Sequence, residues 1–339
     1  MSTLGELQST AQALLAEGRG ILAADESFPT IGQRFKQLAI PATEENRRAY
    51  RELLFTAPGL NEFISGVILF DETIRQEINR MPVPASLARQ GIVPGIKVDL
   101  GTVPLAHFPG EKVTQGLDGL RERLADYREL GARFTKWRAV ISIGERLPTA
   151  ACIVANAGPL AQFAALSQEA GLVPIVEPEI LMDGNHTLAR CEEVMGTTLQ
   201  TVFAALAVQQ VTLEGMLLKT AMVLPGSDSP RLATPSMVAE ATLRCLRRTV
   251  PPAVPGIVFL SGGQTDLAAT ERLNALCAAG DAPWKLTFSF GRALQDAALK
   301  TWHGSAANVS AAQAALLHRA RCNSLAVQGD YSAGAENAP

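Results

Sequence analysis

The chain has 339 residues, of which 47% are hydrophobic and 19% charged, so it can fill a large core; one α/β barrel fits that length as well as two smaller domains do. Its formal net charge of −3 is spread along the chain and offers no basic stripe to nucleic acid. No uninterrupted apolar run approaches about 18 residues, so no membrane span is expected, and Met1-Ser2-Thr3-Leu4 does not open a secretory signal.

Short apolar runs alternate with longer helical patterns, the order of repeated βα units. Eight such runs are expected as strands: Gly20–Asp25, Ile64–Phe70, Val93–Asp99, Phe134–Ile141, Val173–Glu179, Met216–Met222, Gly256–Gly262 and Lys285–Phe290. They start about 30 to 45 residues apart, the size of a crossover with its helix. Thr234-Pro235 reads as an N-cap followed by proline at the first helical position. Ser310-Ala311-Ala312-Gln313 reads as a capping box. The pattern predicts one (β/α)8 barrel over 1–331, with a small-residue, flexible tail over 332–339 that lacks an apolar anchor. An open doubly wound sheet is the competing architecture, but no GxGxxG follows any strand. Five cysteines, at 152, 191, 245, 277 and 322, show no CxxC spacing, so reduced thiols and a cytoplasmic location are expected.

Several of these strands end on charge. Leu217-Leu218-Lys219 closes an apolar run on an amine, and burial among other cations is what makes a lysine a nucleophile toward carbonyl carbon. Asp25, Lys97, Lys136 with Arg138, and Glu177 with Glu179 interrupt other strands in the same way. Residues i and i+2 share a face, so each of the last two pairs projects together. One such residue is ordinarily a solvated rim group; the recurrence across strands points to one shared site at the C-terminal face, where barrel enzymes do chemistry. Ser261-Gly262-Gly263 and Ser289-Phe290-Gly291-Arg292 close strands seven and eight with hydroxyls, glycines and a guanidinium, the composition of a phosphate cradle. Arg34, Lys97 and Arg138 lie on other segments and could hold a second phosphate.

These motifs, with Gly20-Ile21-Leu22-Ala23-Ala24-Asp25-Glu26-Ser27, Ile175-Val176-Glu177-Pro178-Glu179-Ile180-Leu181, Leu213-Glu214-Gly215 before Lys219, Leu260-Ser261-Gly262-Gly263-Gln264 and Gly291-Arg292-Ala293-Leu294-Gln295, resemble class I fructose-bisphosphate aldolases from about Gly5 to Tyr331. The resemblance implies a homotetrameric barrel that reversibly cleaves fructose 1,6-bisphosphate to dihydroxyacetone phosphate and glyceraldehyde 3-phosphate in glycolysis, gluconeogenesis or the Calvin cycle. It implies no cofactor and no metal, and the histidines at 107, 186, 303 and 318 show no ligand spacing. By resemblance Lys219 forms the Schiff base, Glu177 is the general acid/base of carbinolamine formation and dehydration, and Asp25 takes the C4 hydroxyl proton. Lys136 assists as a cation, and Glu179 supports the network. Ser261, Gly262, Gly263, Ser289, Gly291 and Arg292 match the C1-phosphate site, while Ser27, Arg34, Lys97 and Arg138 match groups at the other end of the sugar.

The chain departs from the family where Phe28-Pro29-Thr30 replaces Thr-Gly-Ser, which predicts a stiffer loop after Asp25, and where Leu100 replaces a lysine. Thr220-Ala221 replaces Pro-Asn, and the chain ends on Ala338-Pro339 rather than on the tyrosine of many animal members. Two rival readings remain: a sugar-phosphate isomerase without a covalent lysine, and a scaffold using Arg244, Arg247 and Arg248, which otherwise read as a solvated helix face.

Overall fold

A computed structural model describes residues 4–337. All eight expected strands form: β1 Gly20–Ala23, β2 Ile64–Leu69, β3 Val93–Lys97, β4 Phe134–Ile141, β5 Val173–Ile180, β6 Leu217–Thr220, β7 Gly256–Phe259 and β8 Lys285–Phe290. Each pairs in parallel with the next, and β8 returns to β1, closing a (β/α)8 barrel. β1 and β7 stop two to three residues short of their expected ends. There the chain leaves the sheet, so Asp25, Ser261 and Gly262 stand on the loops that crown the barrel.

The alternation of side chains sorts the apolar residues into two layers. Leu22, Val67, Ile96, Trp137, Val176, Leu218 and Ile257 face outward and meet the helices. Ile21, Ile68, Phe134, Val173, Ile175, Leu217 and Val258 face inward, and Leu7, Ala11, Leu14 and Leu15 join them. The N-terminal helix Leu4–Leu14 therefore closes the barrel floor, and each of these leucines adds about 1.5–3 kcal/mol on burial. Gly95 is glycine because a Cβ there would lie 2.3 Å from the Phe134 ring. The floor is solid hydrocarbon, which leaves the opposite end of the barrel as the open one.

Five helices start on a threonine whose hydroxyl accepts a backbone N–H three residues on: Thr43, Thr149, Thr187, Thr234 and Thr265. Each such cap is worth about 1 kcal/mol, and Thr234-Pro235 behaves as expected. The capping box at Ser310 does not form. Helix Val309–Gln328 begins one residue earlier, and Gln313 Nε2 instead donates to Leu53 O at 3.0 Å and Thr56 Oγ1 at 3.1 Å. Docking the last helix against helix Glu44–Phe55 outweighs local capping. Pro29 does not stiffen a loop either; it sits in the first turn of helix Phe28–Gln37, where its missing N–H costs nothing. Helix Ala150–Glu169 is long and apolar enough to cross a membrane, with mean hydropathy 1.4, but half of that stretch is buried and it packs on β4 and β5.

The segment after Tyr331, expected to be a flexible tail, has a polar anchor in its described part, residues 332–337. Ala333–Asn337 forms a 3-10 turn from which Glu336 reaches Arg319 at 2.5 Å, while the Tyr331 hydroxyl donates to Glu336 at 2.7 Å. Residues 338–339 of the expected tail lie outside the described residues.

Candidate active site

Followed upward from the floor, the inward positions of each strand change from hydrocarbon to charge. On β4 they run Phe134, Lys136, Arg138; on β5 Val173, Ile175, Glu177, Glu179; on β6 Leu217, Lys219; on β1 Ile21, Ala23 and then Asp25. Period-two geometry alone brings these charges to one level at the C-terminal ends of the strands. They line a cavity of about 740 Å³.

At its base lies a buried four-charge cage. Lys136 Nζ is 2.6 Å from Asp25 Oδ2 and 3.3 Å from Glu177 Oε2, and Lys219 Nζ is 3.2 Å from Glu177 Oε1. Lys136, Glu177 and Lys219 are each no more than 5% exposed at the side chain. Burial alone would raise the Asp25 carboxyl, but the ammonium groups of Lys136 and Lys219 hold it down at about 2. Burial would correspondingly lower Lys136, yet Asp25, Glu177 and Asp99 raise it above the ordinary lysine value. Both members of that pair are therefore ionised near neutral pH. Glu177 Oε2 and Ser289 Oγ are buried without an aligned hydrogen-bond partner. A buried acceptor and hydroxyl left open are costly unless a ligand satisfies them.

The two glutamates project together, as their spacing predicts, but divide their partners. Glu179 accepts from Arg138 Nε at 2.5 Å and takes no part in the lysine cage. Lys97 is clamped by Asp99, through Oδ1 at 2.8 Å and the carbonyl at 2.6 Å, and Asp99 Oδ2 also accepts from Arg138 N at 3.2 Å.

Around the rim, Ser261 and Gly262 follow β7 on a turn with Gly262 at φ +53° and Gly263 at φ +90°, a region that side chains rarely adopt. Ser289 ends β8. Gly291 caps helix Arg292–Trp302, whose first residue is Arg292, so the helix N-terminus faces the cavity with a guanidinium beside it. Gly263 is the one expected site residue that does not line the cavity; its Cβ position would lie 3.6 Å from Arg292 Nη2. Across from this set stand Ser27, Arg34, Lys97 and Arg138. Ser27 Oγ and Thr30 Oγ1 are 3.1 Å apart, so Thr30 does present a hydroxyl at this edge.

Several contributors carry no periodic signal. Glu26 receives Arg34 Nη1 at 2.6 Å and Arg51 Nη2 at 2.7 Å, and Asp296 holds the other branch of Arg34 at 2.9 Å. The Tyr50 hydroxyl and Arg34 both reach Gln295, whose amide is tied to Ala23 O at 2.6 Å. Asp99 carries a signal in its place two beyond Lys97, whereas nothing in the sequence pairs Gln295, though it closes the motif Gly291-Arg292-Ala293-Leu294-Gln295, or Asp296 with Arg34, more than 260 residues away. A second groove, of about 800 Å³, runs along helix Pro235–Thr249 on the outer shell. Its arginines are neutralised locally, Arg244 by Glu192 at 2.6 Å and Arg247 by Asp281 at 3.7 Å, with Arg248 3.8 Å from Glu192, and no catalytic set converges there.

Fold and cavity together define a barrel enzyme with a caged lysine and a cationic rim suited to a phosphorylated substrate. The family model for class I fructose-bisphosphate aldolase matches residues 6–339. A probable class 1 fructose-bisphosphate aldolase of Xylella fastidiosa is 54% identical over 331 residues, covering 97% of this chain and 99% of its own. The aldolase of Dictyostelium discoideum is also 54% identical, covering 96% and 93%. The solved structure of Plasmodium falciparum aldolase, in complex with TRAP and a small-molecule inhibitor, superposes with a TM-score of 0.96 at 50% identity, covering 97% of this chain and 96% of that one. The chain belongs to the class I fructose-bisphosphate aldolase family, lyases that reversibly cleave fructose bisphosphate.

Proposed function

We propose that Lys219 is the amine that attacks the C2 ketone of fructose 1,6-bisphosphate and carries it as a Schiff base. The observation that carries this reading is the cage: an amine buried at the base of the cavity, with a carboxylate oxygen at 3.2 Å to exchange its protons. Lys219 must lose a proton before it attacks, and the carbinolamine hydroxyl must gain one before it leaves as water; Glu177 is in contact for both transfers. The iminium then draws electrons from the C3–C4 bond. Asp25, ionised by its pairing with Lys136, accepts the C4 hydroxyl proton as glyceraldehyde 3-phosphate departs. Dihydroxyacetone phosphate remains as the enamine until a proton returns to C3.

Ser261, Gly262, Ser289, Gly291 and Arg292 hold the C1 phosphate in this reading, with Gly263 shaping the turn beside Arg292. Ser27, Arg34, Lys97 and Arg138 hold the phosphate at the other end, with Glu179 and Asp99 fixing Arg138 and Lys97 in place. No step in this scheme uses a metal or other cofactor. A homotetramer and a cytoplasmic site of glycolysis and gluconeogenesis complete the reading; named relatives include a cytosolic aldolase of Arabidopsis thaliana and a chloroplastic one of Chlamydomonas reinhardtii.

Borohydride added with dihydroxyacetone phosphate tests the assignment: it should inactivate the enzyme and leave a stable adduct on the peptide bearing Lys219. Inactivated enzyme with that peptide unmodified would overturn it. Cleavage should also persist in a chelator, and sedimentation should give four chains per particle.

A further inference from the structure

Outside the cavity lining, the last helix and the C-terminal turn bring together three donor groups that the aldol reaction does not use. His318 and Cys322 are four residues apart on helix Val309–Gln328 and so share one face. His318 Nε2 lies 3.7 Å from Cys322 Sγ and 3.5 Å from Glu336 Oε2, and one donor atom from each of the three residues falls within 4.8 Å of the others. We propose that His318, Cys322 and Glu336 form a site for a zinc-class divalent ion that staples the C-terminal turn to the last helix.

The geometry carries the argument. With Zn–S near 2.3 Å and Zn–N or Zn–O near 2.0–2.1 Å at tetrahedral angles, sulfur and nitrogen ligands stand about 3.6 Å apart and nitrogen and oxygen about 3.4 Å apart. The two separations here, 3.7 Å and 3.5 Å, already match before any ion arrives. The donor set also selects the ion. Imidazole, thiolate and carboxylate together suit Zn²⁺ or Co²⁺, and a thiolate disfavours Mg²⁺ and Ca²⁺. Cys322 is buried and His318 and Glu336 are partly exposed, so the ion would enter from solvent and keep water as its fourth ligand.

Outer groups are in place to orient the carboxylate, as liganding carboxylates require. The Tyr331 hydroxyl donates to Glu336 Oε1 at 2.7 Å, and Arg319 Nη1 donates to Oε2 at 2.5 Å. Arg321 sets one positive charge near Cys322, and the Arg319 guanidinium is a second repulsive neighbour. It has a second hold, on Thr270 Oγ1 at 2.7 Å, that lets it stay when the metal shares the carboxylate. On binding, the Cys322 S–H bond breaks, the proton goes to buffer and the sulfur lone pair forms the metal–sulfur bond. The competing account is a purely polar clamp in which the same contacts hold the turn without an ion.

Titrating metal-free, full-length protein with Co²⁺ distinguishes the two. One equivalent should produce a thiolate-to-cobalt charge-transfer band that Zn²⁺ then erases. Cys322→Ser should abolish the band, and His318→Gln or Glu336→Gln should weaken Co²⁺ binding by about tenfold or more. Glu336→Gln lies on the terminal turn and leaves aldol cleavage intact, so it decides the matter if Cys322→Ser folds poorly. Absence of the band in excess Co²⁺ would overturn the site, as would a band of equal strength in Glu336→Gln.

Discussion

Lys136→Met keeps the length of the side chain and deletes the ammonium that touches both cage carboxylates. Asp25 then loses its partner at 2.6 Å and Glu177 its neighbour at 3.3 Å, leaving two buried carboxylates to Lys219, which contacts only Glu177. Breaking a buried pair from one side costs about 3–5 kcal/mol. A separate handle on the Asp25 part is its carboxyl, held at about 2 against an ordinary 3.8, which corresponds to about 2 kcal/mol. Because that value is depressed in the folded protein, the stabilisation is fully present above 3.8 and is lost as pH falls through about 2. In the variant, burial is opposed only by the more remote Lys219 and Lys97, so the carboxyl rises toward or past its ordinary value and this stabilisation shrinks or is lost. Urea unfolding of both proteins at about pH 7 and about pH 5 should show the gap. Turnover should fall by about 10²–10⁴-fold, with a new acid limb in the pH–rate profile. Unfolding energies within about 1 kcal/mol of each other, with turnover unchanged, would refute the cage as drawn.

Glu177→Gln keeps the shape and removes the shuttled proton, so turnover should fall by about 10²–10⁴-fold in a steady-state cleavage assay. Glu179→Gln releases Arg138 and should leave more of the single-turnover adduct formation intact; slower adduct formation in this variant than in Glu177→Gln would mean the two roles are exchanged. Gly95→Ala pushes a methyl to 2.3 Å from the Phe134 ring and should cost about 1–3 kcal/mol by thermal melting, an unchanged melting temperature disproving the packing argument. Truncation after Tyr331 should lower the melting temperature, because buried Arg319 loses Glu336. It should leave both cleavage and solvent exchange of the dihydroxyacetone phosphate C3 hydrogen unchanged, and a selective drop in exchange would give the tail a catalytic part.

The charged strand ends were legible because period two is local: Lys136 with Arg138, and Glu177 with Glu179, need only their own strands to determine which way they point. Their partners are not local. That Glu177 would meet both lysines while Glu179 met Arg138 depends on register between strands, which no single segment encodes. Glu26 follows Asp25 on the loop beyond β1, and its two arginines come from helices whose approach is set by packing. The Ser310 box failed for the same reason, since Gln313 found better acceptors on a helix some 260 residues earlier in the chain. His318 and Cys322 have a helical ligand spacing that is plain once cysteines and histidines are read together; the third donor arrives only when the turn folds back.

The cage sets two acidic side chains against two basic ones, and the opposite charges around Asp25 and Lys136 explain why burial does not simply neutralise that pair. In the proposed mechanism each covalent step moves a proton without moving net charge out of the site. Two carboxylates share that work unequally because of where the lysines stand. Asp25 is contacted by Lys136 alone, at close range, and stays ionised, which fits a group that must accept a proton from a hydroxyl and give it up again. Glu177 lies between both ammonium groups with one oxygen toward each, and its Oε2 has no aligned hydrogen bond to hold it to a single protonation partner. Among the described residues, only that one contacts Lys219 and Lys136 together. In the proposed mechanism a proton leaving the Lys219 amine therefore reaches Glu177 first, and the same group returns it to the carbinolamine hydroxyl. Chemically similar carboxylates on neighbouring strands thus acquire different tasks from the number and distance of the cations each one meets.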